Sequence, residues 1–80
     1  MNNIEHVAIL YEEVNNEFEP VRAFKGPKCI YNAYKFAHYH YCLSDLPEKY
    51  SLHQLPKWLK VIFHLIDAEK FNELFKMVTK

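Results

Sequence analysis

The spacing of apolar residues divides this chain into an ambiguous N-terminal third, one clear helix and an apolar C-terminal half. In the first part, Ile4, Val7, Tyr11, Val14 and Phe18 recur at helical spacing, which predicts a helix over 3–18. The same residues fit a hairpin with "VNNE" (14–17) as its turn, because Asn15 and Asn16 tolerate the positive φ of tight hairpin turns. Pairing about that turn sets Val7 against Phe24, Ile9 against Arg22 and Glu13 against Phe18. One face then carries Val7, Ile9, Tyr11, Phe18 and Phe24. The other carries Ala8, Leu10, Glu12, Glu17, Glu19, Val21 and Ala23. This sorting follows a period of two, and "HVAILY" (6–11) has the β-branched and aromatic content of a strand. Two features oppose the hairpin: Glu12 faces the like charge of Glu19, and Pro20 confines its strand to a sheet edge. The hairpin is the preferred reading and the helix is its alternative.

Beyond "KGP" (25–27), Pro27 suits the first turn of a helix. Ile30, Ala33, Tyr34, Ala37 and Tyr41 then repeat at helical spacing for roughly four turns, ended by "SDLP" (44–47). "YSLHQL" (50–55) reads as a capping box, with Ser51 as N-cap, Gln54 as its partner and Tyr50 and Leu55 as a staple. Pro56 limits that piece to one turn leading into a new helix. "KWLKVIFHLI" (57–66) is apolar nearly all round and is expected as a helix buried on several sides. "DAEKFNELFKMV" (67–78) is expected as helix with Asp67 as N-cap and Phe71, Leu74, Phe75 and Val78 on one face. The expected fold is a single α+β domain over 1–80: an N-terminal β-hairpin packed on a helix, with a helical C-terminal half. A small all-α bundle is the alternative.

The pieces "VAILYEE", "NNEFEPVRAF" and "NAYKFAHYH" share a layout. An apolar strand ends in Tyr, an Asn-containing turn leads to a second strand, and a helix follows. This resembles small, mostly uncharacterised proteins of phages and prokaryotic mobile elements, over about residues 6–40. The resemblance implies a hairpin followed by a helix and a phage or mobile-element origin, and it carries no catalytic motif. In that layout a third strand is usual, where this chain reads as helix.

Composition changes the picture modestly. Half of the residues are hydrophobic and 16% are aromatic, so a core can form without disulfides. Two cysteines, Cys29 and Cys42, are too few for a secreted disulfide framework. With no charged-then-apolar leader and no long apolar run, a cytoplasmic protein without a membrane partner is expected. Net charge is zero but unevenly placed. Residues 1–19 hold five glutamates and no Lys or Arg, and residues 20–44 hold Arg22, Lys25, Lys28 and Lys35 and no acid.

The cluster "HYHYC" (38–42) raises a metal site. On a helix His38 and Cys42 share a face while His40 points away, so one ion would need further ligands from Cys29, His53 or His64. Neither a paired-cysteine nor a paired-histidine motif supports this, and no metal or cofactor is expected. No oxyanion-hole or orienting motif accompanies either cysteine, so an enzyme is not expected. Two binding readings follow. In the first, Glu12, Glu13, Glu17 and Glu19 of the hairpin, with Tyr31 and Tyr39 of the helix, engage another protein. Such a chain would be a non-enzymatic inhibitor that occludes a host or defence-system protein, and an open sheet edge leaves a homo-oligomer available. In the second, Arg22, Lys25, Lys28 and Lys35 hold phosphates while the tyrosines stack bases.

Overall fold

A computed structural model describes residues 4–43, 50–70, 72 and 73. Strand β1 (Ile4–Val14) and strand β2 (Glu17–Lys25) form an antiparallel hairpin. Helix α1 (Cys29–His40) follows, and strand β3 (Leu59–Asp67) pairs antiparallel with the other side of β1. The sheet order is β2-β1-β3. The expected fold class is therefore overturned. Among the described residues the molecule is a three-stranded antiparallel sheet with helix α1 packed on it, mostly strand, and neither a helical C-terminal half nor an all-α bundle is formed.

The hairpin turns at Asn15 and Asn16, with φ of 54° and 67°, a conformation in which asparagine is several-fold enriched over other side chains. Near the turn, Val14 pairs with Glu17, Glu13 with Phe18 and Glu12 with Glu19. A bulge between Leu10 and Tyr11 then moves the register by one. Ile9 meets Ala23 rather than Arg22, and Val7 meets Lys25 rather than Phe24. Consequently Phe24 lies on the face of Ala8 and Leu10, while Ala23 joins Val7 and Ile9 on the other.

"KWLKVIFHLI" is strand because β1 offers it a ladder and both its faces meet apolar neighbours. Leu59 and Val61 pack on the α1 side, and Ile66 packs beside Val7 and Ile9 on the opposite side. A run apolar on both faces shows no period of two, so its pattern matches a buried helix equally well. Pro56 precedes the strand, as a chain break would. Residues 68–70, 72 and 73 are helical. The expected apolar face of Phe71, Leu74, Phe75 and Val78 lies outside the described residues, as does the "SDLP" stop.

The four consecutive residues Val7, Ala8, Ile9 and Leu10 are all buried. Since neighbours in a strand point to opposite faces, β1 is the covered centre of the sheet on both sides. Helix α1 lies over Ala8 and Leu10 through Cys29, Ala33 and Ala37, a stripe of small buried residues at four-residue spacing. Small side chains there let the helix axis approach the sheet. The expected stripe is rotated accordingly: Ile30 is 40% exposed, and Tyr34 and Tyr41 are half-buried on one flank. Gly26 joins β2 to α1 at φ 105°, where its added Cβ would meet nothing. Backbone conformation, not crowding, calls for glycine there.

Candidate functional site

Of the residues singled out from sequence, those of "HYHYC" lie at the C-terminal end of α1, beside the loop 50–58. In "HYHYC" each side chain has its own direction. His38 Nε2 lies 3.0 Å from the Gln54 carbonyl oxygen. Tyr39 points outward and is 84% exposed. His40 stacks on Phe36 one turn earlier, with centroids 5.0 Å apart. Tyr41 meets His40 and the edge of Trp58 at 4.8 and 5.4 Å. Cys42 adopts φ 53° just past the helix and is exposed. The helix thus ends before Cys42, so His38 and Cys42 do not form a ligand pair on one helical face.

The other conceivable ligands are elsewhere. Cys29 is buried on the sheet-facing side of α1, His53 packs against Tyr34, and His64 lies on the far face of the sheet. Among the described residues no three His, Cys, Asp or Glu side chains gather as a metal site would require. The Cys29 thiol is held above its ordinary pKa by burial, the opposite of what an activated nucleophile needs.

An aromatic row links sheet to helix. The Arg22 guanidinium lies over Phe36 at 5.0 Å and over Phe24 at 5.7 Å. Phe24 meets Phe36, which continues through His40 and Tyr41 to Trp58. Sequence reasoning passed over Phe36 and Trp58 as site-forming residues and raised His53 only as a conceivable metal ligand. The four-residue spacing of Phe36 and His40 was the available signal for the stack. The loop 50–58 is braced internally by local bonds. The Ser51 amide donates to Gln54 Oε1 at 3.1 Å and the Gln54 amide donates to the Ser51 carbonyl at 2.9 Å. The expected capping box is thus a single turn, and it leads to a strand. Tyr50 and Leu55 pack together against the core beside Leu43 and Leu59.

Above the outer face of α1, Asn32, Lys35, Phe36, His38, Tyr39 and Leu52 line a shallow groove of about 500 Å³. Tyr39 and Lys35 form its helix side and Leu52 its loop side.

The acidic hairpin is not one surface. Glu13, Glu17 and Glu19 are exposed, whereas Glu12 is half-buried on the α1 side of the sheet. Burial, the hydrogen bond from Tyr41 to the Glu12 side chain and that group's negative charge together push the Tyr41 hydroxyl up to about 12. Glu12 is thereby a tie between β1 and the end of α1, which offsets its unfavourable position opposite Glu19. This tie brings the end of α1, and with it Tyr39, to the hairpin end of the molecule. Tyr31 lies two helical turns back, about 12 Å along the axis.

A pH dependence follows. The folded-state pKa of Tyr41 is raised above the ordinary 10.0, so its contribution is complete below pH 10 and is lost as pH rises towards 12. Denaturant titrations across that interval should show a fall that Tyr41→Phe flattens by about 1 kcal/mol, a figure reduced for solvent screening at this partly open site. Identical alkaline limbs for the two proteins would contradict the tie.

The four cations divide. Arg22 lies on the α1 side of β2, against aromatic rings, and Lys25 lies on the opposite face opposite Val7. Lys28 occupies the N-cap position of α1 without a side-chain capping bond, and the Lys35 ammonium lies 6.0 Å from the Tyr31 ring on the outer face. Another cation, Lys60, sits on the far face over Phe18 and Tyr11, at 4.0 and 5.7 Å. No helix among the described residues is long and apolar enough to cross a membrane. No family model matches the chain, and neither a curated protein nor a solved structure matches it.

Proposed function

We propose that this chain is a non-enzymatic binding module of the cytoplasm that docks on another protein through the groove beside Tyr39 and the adjacent hairpin tip. The observation that carries the reading is Tyr39 itself, a large aromatic 84% exposed at the rim of a groove of about 500 Å³. An amphipathic ring held by its helix next to a concave surface has the chemistry of an interface anchor, because it offers large contact area at low entropic cost. The exposed carboxylates Glu13, Glu17 and Glu19 at the same end favour a partner with a basic rim. An inhibitor that occludes its target is the finer form of this reading.

Glu12 is unsuited to testing it, because its tie to Tyr41 makes substitution structural. Two probes are better placed: Tyr39→Ala, and Glu13→Lys with Glu17→Lys. Both leave stability within about 0.5 kcal/mol, as exposed positions away from the core do. Quantitative affinity capture from native-host extract should retain one reproducible protein with the parent chain and lose roughly tenfold or more of it with Tyr39→Ala. Capture unaffected by either probe would remove the reading. A nucleic-acid binder would instead show oligonucleotide affinity that falls steeply with salt. The division of Arg22 and Lys25 between two faces disfavours a single phosphate-holding stripe.

A further inference from the structure

The two edges of the sheet are unequal. Strand β2 presents a protected edge: it contains Pro20, a bulge beside it, and the charges Glu17, Glu19, Arg22 and Lys25. These are the features that keep an edge from recruiting another strand. Strand β3 has none of them between Val61 and Ile66, where the sequence is Val-Ile-Phe-His-Leu-Ile. Among the described residues no strand pairs with its outer side.

Hydrogen-bond phase identifies what that outer side offers. The Glu13 amide donates to the Trp58 carbonyl at 2.8 Å, a pair that continues the β1–β3 register. In an antiparallel ladder, bonded pairs alternate with unbonded ones. Lys60, Ile62, His64 and Ile66 therefore direct their N–H and C=O groups toward β1. Val61, Phe63 and Leu65 direct theirs outward. The Gly26 amide, bonded to the His6 carbonyl at 2.9 Å, fits the same phase from the β2 side of β1. Two of the outward residues also carry exposed side chains, Phe63 at 44% and Leu65 at 59%, while Val61 packs partly on the core.

We propose that a second copy of this chain pairs antiparallel with the outer edge of β3, about a two-fold axis through Phe63, and joins the two sheets into one. Phe63 is the middle residue of β3, so this register pairs the strand along its whole length, about 30 Å. An axis normal to the sheet reverses strand direction and keeps both α1 helices on one side. It places Phe63 against the partner's Phe63 and Val61 against the partner's Leu65. These are the residues whose backbone groups point outward, so each pair exchanges both N–H···O bonds. The register opposes no like charges, since Lys60 meets the partner's Ile66 and Asp67 the partner's Leu59. The interface is isologous and closes at two copies, because the remaining edge of each sheet is the protected β2. It uses a different surface from the Tyr39 groove and stands independently of it.

The test is sedimentation of the full chain from roughly 10 μM to 1 mM, with amide exchange read residue by residue at both ends of that range. A dimer should form as concentration rises, with exchange at Val61, Phe63 and Leu65 slowing in step while Ile62 and His64 stay protected throughout. A chain that remains monomeric overturns the proposal, including in favour of an apolar peptide from another protein as the occupant. So does a dimer in which those three amides stay fast, because it would use another surface. Leu65→Lys and Phe63→Lys, both at exposed positions, should each weaken association about tenfold or more, as an edge lysine does. Unchanged association in whichever of the two remains folded overturns the proposal as well.

Discussion

Leu10→Ala is expected to lower the unfolding free energy by about 2–5 kcal/mol, the range for truncating a buried leucine where the site cannot collapse. Leu10 is fully buried in the central strand, in a cluster with Ala37, Leu43 and Leu59 and the partly buried Val21, Phe36 and Tyr41. Its neighbours come from both flanking strands, the helix and the segment after it, so no single element can move inward to fill the space. A domain of this size holds only on the order of 5–10 kcal/mol in total, so the loss brings the variant close to unfolding at physiological temperature. Denaturant midpoints at constant slope provide the measurement. A loss under about 1 kcal/mol, typical of surface positions, would mean that Leu10 is not the junction of these elements.

How much of this was legible from the chain depends on the kind of signal each residue carries. The hairpin turn was legible because two adjacent asparagines at a strand boundary have a local conformational reason to be there. The register was legible only as far as the bulge beside Pro20, which has no side-chain pattern of its own. Beyond it every pairing is shifted by one, which carries Phe24 to the α1 side of the sheet. Helix α1 was legible in extent and only partly in phase. Ala33 and Ala37 are buried as expected, but the buried face is centred on them and Cys29, and the large residue Ile30 is turned outward. Close approach to a sheet selects for small volume, and hydrophobicity alone does not report that.

The C-terminal half was misread because β3 is apolar on both faces. Periodicity cannot separate such a strand from a buried helix. Its short length, the preceding Pro56 and the β-branched Val61, Ile62 and Ile66 were the better guides. Of the candidate site, the exposure of Tyr39 followed from helical phase. The inward role of Glu12 did not, because it depends on Tyr41 crossing from a helix that sequence alone could not dock.

Residues 59–67 form an edge strand bonded to β1, and both the position of the groove loop and the self-pairing edge depend on it. The adjacent pair Ile62→Pro and Phe63→Pro tests it most directly, each measured against its alanine counterpart at a concentration that keeps the chain monomeric. Ile62 directs its N–H toward Ile9, so proline there removes a ladder bond and should cost about 3 kcal/mol or more beyond Ile62→Ala. Phe63 directs its N–H to the open edge, where proline is tolerated, and Phe63→Pro should cost no more than about 1 kcal/mol beyond Phe63→Ala. A large difference between these neighbours is the result predicted. Equal and severe losses at both positions, as the interior of a helix would give, would contradict it.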